Sequence, residues 1–140
     1  MIVDGDGMIL GRLASRVAEL LLKGESIVIV NAEKVVLSGN KKDIMSRYKE
    51  KRGRKDAANP RKGPMFPKTP DGIVQRSVRG MINYRSERGT SALKRLRIYI
   101  GVPEKYSGSK PVRIEEADSK KLHGKITTVG EVSKELGYKW

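Results

Sequence analysis

Residues 2–31, IVDGDGMILGRLASRVAELLLKGESIVIVN, decide the fold. Ile2-Val3 is a short apolar run that stops at Asp4-Gly5-Asp6-Gly7, a cluster of turn formers. Helical periodicity follows: Ile9, Leu10, Leu13, Val17, Leu20 and Leu21 share one face, while Arg12, Arg16, Glu19 and Lys23 take the other. Gly24 supplies the stop. Ser26-Ile27-Val28-Ile29-Val30-Asn31 is apolar at consecutive positions, the pattern of a strand covered on both faces. A strand, a helix and a buried strand in that order predict a parallel pair joined by a right-handed crossover. The expected class is α/β.

Beyond this unit, Lys34-Val35-Val36-Leu37-Ser38 reads as a third, shorter strand. Asn40 is placed to cap a helix, with Asp43 three residues on in capping-box position, but only Ile44, Met45 and Tyr48 give that helix an apolar stripe. From about residue 49 to 68 the chain is rich in Lys, Arg, Gly and Pro, including Pro60, Pro64 and Pro67, and is expected to be an exposed arm. Thr69-Pro70-Asp71 then signals a helix start: a capping hydroxyl, a proline at the first helical position and an acid in the first turn. Ile73, Val74, Ser77, Val78 and Met81 repeat on one face of it. A second short helix is expected through Leu93, then a strand at Leu96-Arg97-Ile98-Tyr99-Ile100. The tail from 107 reads as loop until Thr128, which forms a capping box with Glu131 and opens a short helix ending at Gly137.

A chain of 140 residues with 37% hydrophobic content suits one domain, 1–140, with one modest core. It has no cysteine, so disulfides, cysteine zinc sites and thiol nucleophiles are excluded, and a reducing cytoplasm fits. No apolar run approaches the roughly 20 residues that span a bilayer. Met1-Ile2-Val3-Asp4 reads as the start of a strand and not as a charged leader.

The charge is lopsided. Residues 41–97 hold 18 Lys and Arg against 5 Asp and Glu, and the whole chain carries a net +14, so the rest is almost neutral. Concentrating cations in this way costs self-repulsion that a polyanion would relieve. Nucleic acid is the expected partner. With Tyr48, Phe66, Tyr84 and Tyr99 the only aromatics in or beside the region, no aromatic platform can be argued, and recognition of backbone and shape fits structured RNA. A DNA-associated basic protein is the competing binding reading, although no helix-turn-helix or zinc-finger pattern is present.

Catalytic readings are weaker. Gly5-Asp6-Gly7-Met8-Ile9-Leu10-Gly11 departs from the dinucleotide fingerprint, because its third glycine arrives one residue late and Asp6 sits where a pyrophosphate would lie. An enzyme would be a nucleotide-dependent or RNA-modifying α/β domain with its pocket near Asp4–Gly11. His123 is the only histidine and lacks zinc-ligand companions. Glu115-Glu116 fits a solvated face.

Four stretches in order carry a resemblance: Ile9-Leu10-Gly11-Arg12-Leu13-Ala14-Ser15, Val30-Asn31-Ala32-Glu33-Lys34-Val35-Val36-Leu37-Ser38-Gly39-Asn40-Lys41, Val78-Arg79-Gly80-Met81-Ile82, and Leu96-Arg97-Ile98-Tyr99-Ile100-Gly101. Over about residues 1–106 the chain resembles the large-subunit ribosomal protein family thirteen, in its archaeal and eukaryotic branch. The start directly at the first strand and Ile82-Asn83-Tyr84-Arg85 after Met81 are similar to that branch. The resemblance implies a three-layer α/β/α fold around a four-stranded, largely parallel sheet. It implies a cytoplasmic structural constituent of the large ribosomal subunit that binds large-subunit ribosomal RNA, supports subunit assembly and translation, and contacts neighbouring large-subunit proteins. No enzymatic activity, cofactor, metal, membrane or small-molecule substrate comes with it. Its RNA-facing motifs map onto Asn40, Lys41 and Lys42, and onto Arg79 and Gly80. Charge adds Arg47, Lys49, Lys51, Arg52, Arg54, Lys55, Arg61, Lys62, Lys68, Arg76, Arg85 and Arg88 as candidate RNA contacts.

Overall fold

The computed structural model describes residues 1–54, 57–59 and 61–139; Lys55 and Pro60 of the expected arm lie outside these, as do Asp56 and Trp140. The predicted opening unit is present as β1 (Ile2–Asp4), α1 (Leu10–Leu22) and β2 (Ile27–Val30). β1 and β2 are parallel, with Val3 opposite Ile29. All six apolar positions read from the helical period of α1 are buried, together with Ala14 and Ala18 between them. Burying a Leu or Val side chain contributes roughly 1.5–3 kcal/mol, so this helix stabilises the body more than strands of three or four residues do.

The third strand forms, as β3 (Val36–Ser38), but outside the parallel sheet. After it come α2 (Lys41–Gly53), α3 (Pro70–Gly80), α4 (Glu87–Lys94), β4 (Leu96–Ile98), β5 (Ile126–Thr128) and α5 (Val129–Glu135). Among the described residues the parallel sheet has the order β1-β2-β4, and a single parallel bridge between Val3 and Val112 extends it past β1. β3 pairs antiparallel with β5, Leu37 opposite Thr127. The expected four-stranded sheet is thus three parallel strands, one bridged residue and a separate two-stranded ribbon. The reason is tertiary: β3 meets a partner some 90 positions along the chain, in a tail whose Ile126-Thr127-Thr128 is too short to read as a strand.

Both crossovers run in the same direction across the sheet, so right-handedness sets α1 and the α3–α4 pair on one face, where they pack together. Val3, Ile27, Ile29 and Leu96 are buried on that face. On the other face cover is complete at Val30 but partial at Val28, whose cross-strand neighbour Arg97 is exposed. The helix starts are set locally. Thr69 accepts a hydrogen bond from the Gly72 amide, Ser86 from Gly89, and Thr128 closes a reciprocal capping box with Glu131. Asn40 caps α2 through the Lys42 amide and not through the box expected with Asp43. Met81, placed by periodicity on the buried face of α3, is the exposed C-cap, and Ile82 is buried instead.

The Asn31-Ala32-Glu33-Lys34 motif ties the sheet ends together. Asn31 takes a left-handed conformation (φ 57°), from which its side chain donates to Asp4 at 2.9 Å. The Glu33 carboxylate accepts from the Gly101 amide, and the Ala32 amide donates to the Tyr99 carbonyl. These bonds fix where the chain leaves β4.

α1 ends without a basic residue in its own last turn. Arg95 donates to the Leu21 carbonyl at 2.6 Å and Arg88 to that of Leu22 at 3.3 Å. Cations brought from elsewhere therefore sit at the negative end of the helix, Arg88 on the Leu22 carbonyl and Arg95 on the Leu21 carbonyl, which also accepts from the Gly24 amide.

Candidate nucleic-acid interface

The turn between β1 and α1 offers no phosphate-binding loop, because its amides are already used. Gly5 donates to Val30 O, Asp6 to the Asp4 carboxylate, Gly7 to Lys34 O, Met8 to Gly5 O and Ile9 to Ala117 O. A phosphate cradle needs such N–H groups free. The C-terminal tail closes the same end: Arg113 lies 3.6 Å from Asp4 and 3.8 Å from Asp118, and the Ser119 amide donates to Gly7 O. The Lys120 amide, followed by the charge of Arg113, holds the Asp118 carboxyl below its usual range. These Asp, Asn and Arg groups form a structural lock.

The basic residues gather along α2, the loop of residues 61–68, and α3. Lys41 and Lys42 occupy the first turn of α2, both exposed, with Asp43 the acid beside them. Cations there oppose the helix dipole, so the position favours a bound anion. α2 runs on through Lys49–Gly53, so the segment expected as an arm from 49 begins as helix. Asn40, Arg47, Arg61, Lys62 and Lys68 are also exposed. Gly80, the last residue of α3, is exposed, and a Cβ added to it would meet nothing within 4 Å.

Several predicted contacts have intramolecular partners. Arg52 donates to the Phe66 carbonyl at 2.6 Å, tying the loop to α2. Arg54 lies 3.6 Å from Glu50, and Lys49 lies 3.8 Å from Glu135 of α5. Such exposed pairs contribute about 0–1 kcal/mol and yield easily to a phosphate. Arg88 is occupied at the end of α1. Lys55 lies outside the described residues.

Three aromatic side chains sit among these cations, two of them paired with guanidinium groups. Arg76 lies 5.3 Å from the Phe66 ring centroid, and Arg79 lies 4.0 Å from that of Tyr84, with Arg85 at 5.8 Å from the same ring. The ammonium of Lys51 is 5.3 Å from the Tyr48 ring. A hydrogen bond and charge from Arg85, then charge from Arg79, hold the Tyr84 phenol below its usual range. Burial pushes the Tyr48 phenol up, opposed by the charge of Arg47. Sequence reasoning assigned Tyr48, Phe66 and Tyr84 no site role, and the available signal was the recurrence of each beside cations in a region poor in aromatics.

The turn that presents Tyr84 and Arg85 is held by the start of α4. Ser86 Oγ donates to the Asn83 carbonyl at 2.7 Å, and Thr90 Oγ1 donates to the Tyr84 carbonyl at 2.8 Å. Gly89 packs directly against the Asn83 carbonyl. Among the described residues no group of His, Asp and Glu is arranged to hold a metal, and no helix is long and apolar enough to cross a membrane.

Comparison with known proteins gives a consistent result. The family model of ribosomal protein L13 matches residues 1–105. The large ribosomal subunit protein uL13 of Methanosphaera stadtmanae is 46% identical over 140 residues, covering 99% of this chain and 98% of that protein. The uL13 protein of Methanocaldococcus jannaschii is 47% identical over 141 residues, with 99% and 98% covered. That of Archaeoglobus fulgidus is 46% identical over 140 residues, covering 99% and 88%. These matches include the tail from 107, which the sequence motifs left outside the resemblance.

Proposed function

The chain belongs to the ribosomal protein L13 family, and from that premise we propose that it binds large-subunit ribosomal RNA through its α2–α3 face and supports assembly of the subunit. Membership makes it a structural protein of the large ribosomal subunit, a cytoplasmic ribosome component, in a family that is not an enzyme class. The observation that carries the RNA reading is that α2, the 61–68 loop and α3 leave Lys41, Lys42, Arg61, Lys62 and Arg76 exposed and Arg79 partly so, none of them ion-paired with another described residue. RNA phosphates would replace the missing counter-charge and release condensed counterions, so binding should weaken steeply with salt. Neighbouring large-subunit proteins are the proposed protein partners.

Binding to purified large-subunit ribosomal RNA across a salt series, with duplex DNA and transfer RNA as competitors, tests this directly. Saturable binding that survives excess competitor is expected. Equal affinity for all three polyanions would remove the specific reading and leave only the charge.

Gly80 gives a finer test. Alanine at this helical position should raise stability by about 0.5 kcal/mol, since glycine is the poorer helix former. If the ribose-phosphate chain lies against Gly80, the added methyl should weaken RNA binding about tenfold despite that gain. A Gly80→Ala protein that binds as the parent does would take this residue out of the interface.

A further inference from the structure

Tyr48, Phe66 and Arg76 come from α2, the 61–68 loop and α3, too far apart in sequence to read as one site. The fold brings them together as walls of a cleft of about 160 Å³, completed by Lys51, Arg52 and Ile73. Resting on the RNA reading above, we propose that this cleft receives one unstacked base of an RNA strand, stacked against the aromatic wall. The flanking phosphates then run along Arg76 and Arg79 of α3.

Three observations carry this. First, the cleft is small: ordinary small-molecule pockets begin at about 300 Å³, so its volume suits a single ring system better than a larger metabolite. Second, its chemistry is one-sided. Two aromatic rings and three cations line it with no carboxylate among them, which suits a π-face flanked by phosphate, whereas an uncharged peptide side chain would leave the three cations without a counter-charge. Third, the wall is preorganised. Arg52 holds the Phe66 carbonyl, Arg76 lies over the Phe66 ring, and the buried Ser133 hydroxyl of α5 donates to the Lys68 carbonyl. Pro67 is pressed against Gly72, where an added Cβ would stand 2.6 Å from the proline ring. A loop fixed at so many points loses little entropy when a base docks.

A second cleft lies on the other side of the same wall. It shares Phe66, Pro67 and Arg76 and continues to Arg79, with Met65 largely exposed at its rim.

The test compares the full chain binding to single-stranded RNA hexanucleotides and to abasic ribose-phosphate hexamers of equal charge. The wild type should favour the base-bearing strand about tenfold, within the range that base–aromatic stacking supports. Phe66→Leu should erase that preference while the salt slope stays unchanged. A preference that survives in Phe66→Leu, or none in the wild type, would overturn the proposal. Zero-length photocrosslinking of the wild type is independent of how the variant folds: crosslinks at the Phe66 or Tyr48 peptides support the cleft, and crosslinks confined elsewhere overturn it. Adenosine or uridine monophosphate competing as well as the hexanucleotides would mark a free-nucleotide site and also overturn it. If the wild type shows the base preference but does not discriminate ribosomal RNA from transfer RNA, the cleft stands and the ribosomal RNA specificity falls.

Discussion

Replacing Gly89 with alanine is expected to lower stability by about 3 kcal/mol, a fall in Tm of roughly 10 °C for a domain of this size. Gly89 lies in the first turn of α4, and its amide donates to the Ser86 cap. A Cβ there would collide with the Asn83 carbonyl oxygen and stand 2.6 Å from the carbonyl carbon. These are backbone atoms, so relief requires the turn to move and not merely a side chain to rotate. That turn also carries the Asn83–Ser86 hydrogen bonds and presents Tyr84 beside Arg79. The variant should therefore lose RNA affinity beyond what its lower stability explains. Thermal unfolding followed by circular dichroism measures the first effect. A Tm within a degree or two of the parent would show that α4 can shift without cost.

The largest functional effect is expected from changing Lys41, Lys42, Arg61 and Lys62 to glutamine together. All four are exposed, and none forms an ion pair with another described residue. If each meets a phosphate, the salt dependence should become shallower by about 3 in log–log slope, and affinity near physiological salt should fall about 100-fold. Stability should hold or rise slightly, because Lys41 and Lys42 would leave the positive end of α2, an effect of about 0.3–1 kcal/mol at most per charge. Unchanged affinity with an unchanged slope would place the RNA elsewhere on the molecule. Arg88 and Arg95 are unsuitable for such a variant, since their guanidinium groups satisfy the last carbonyls of α1 and their loss would confuse stability with binding.

Some of this was legible because its causes are local. The apolar face of α1 follows from side-chain period alone. Thr69-Pro70-Asp71 and Thr128 with Glu131 mark helix starts because the groups that satisfy the first free amides sit within three residues of them. The Asn31 motif was recognisable as a pattern, but its purpose was not: its partners Asp4, Tyr99 and Gly101 are remote in sequence. The extent of α2 is not legible in the sequence for a different reason. Lys49-Glu50-Lys51-Arg52-Gly53 lacks an apolar period, yet it continues a helix already nucleated at Asn40, and extension costs far less than initiation.

By itself, then, the sequence determined the parallel β1-α1-β2 unit, the helix boundaries set by capping, and the concentration of positive charge in residues 41–97. The helix boundaries depend on neighbours a few positions away and the charge on composition, while the β1–β2 pairing, though it joins residues 26 apart, follows from side-chain period and the right-handed crossover. Only the tertiary structure decided that β3 pairs with β5 in the tail and which cations point outward. It also decided that Arg52 and Arg88 hold the protein's own carbonyls, and that Tyr48 and Phe66 share one cleft with Arg76. Those outcomes depend on contacts between residues tens of positions apart. Local propensity does not encode them, because the free energy that selects such pairings comes from packing the whole chain at once.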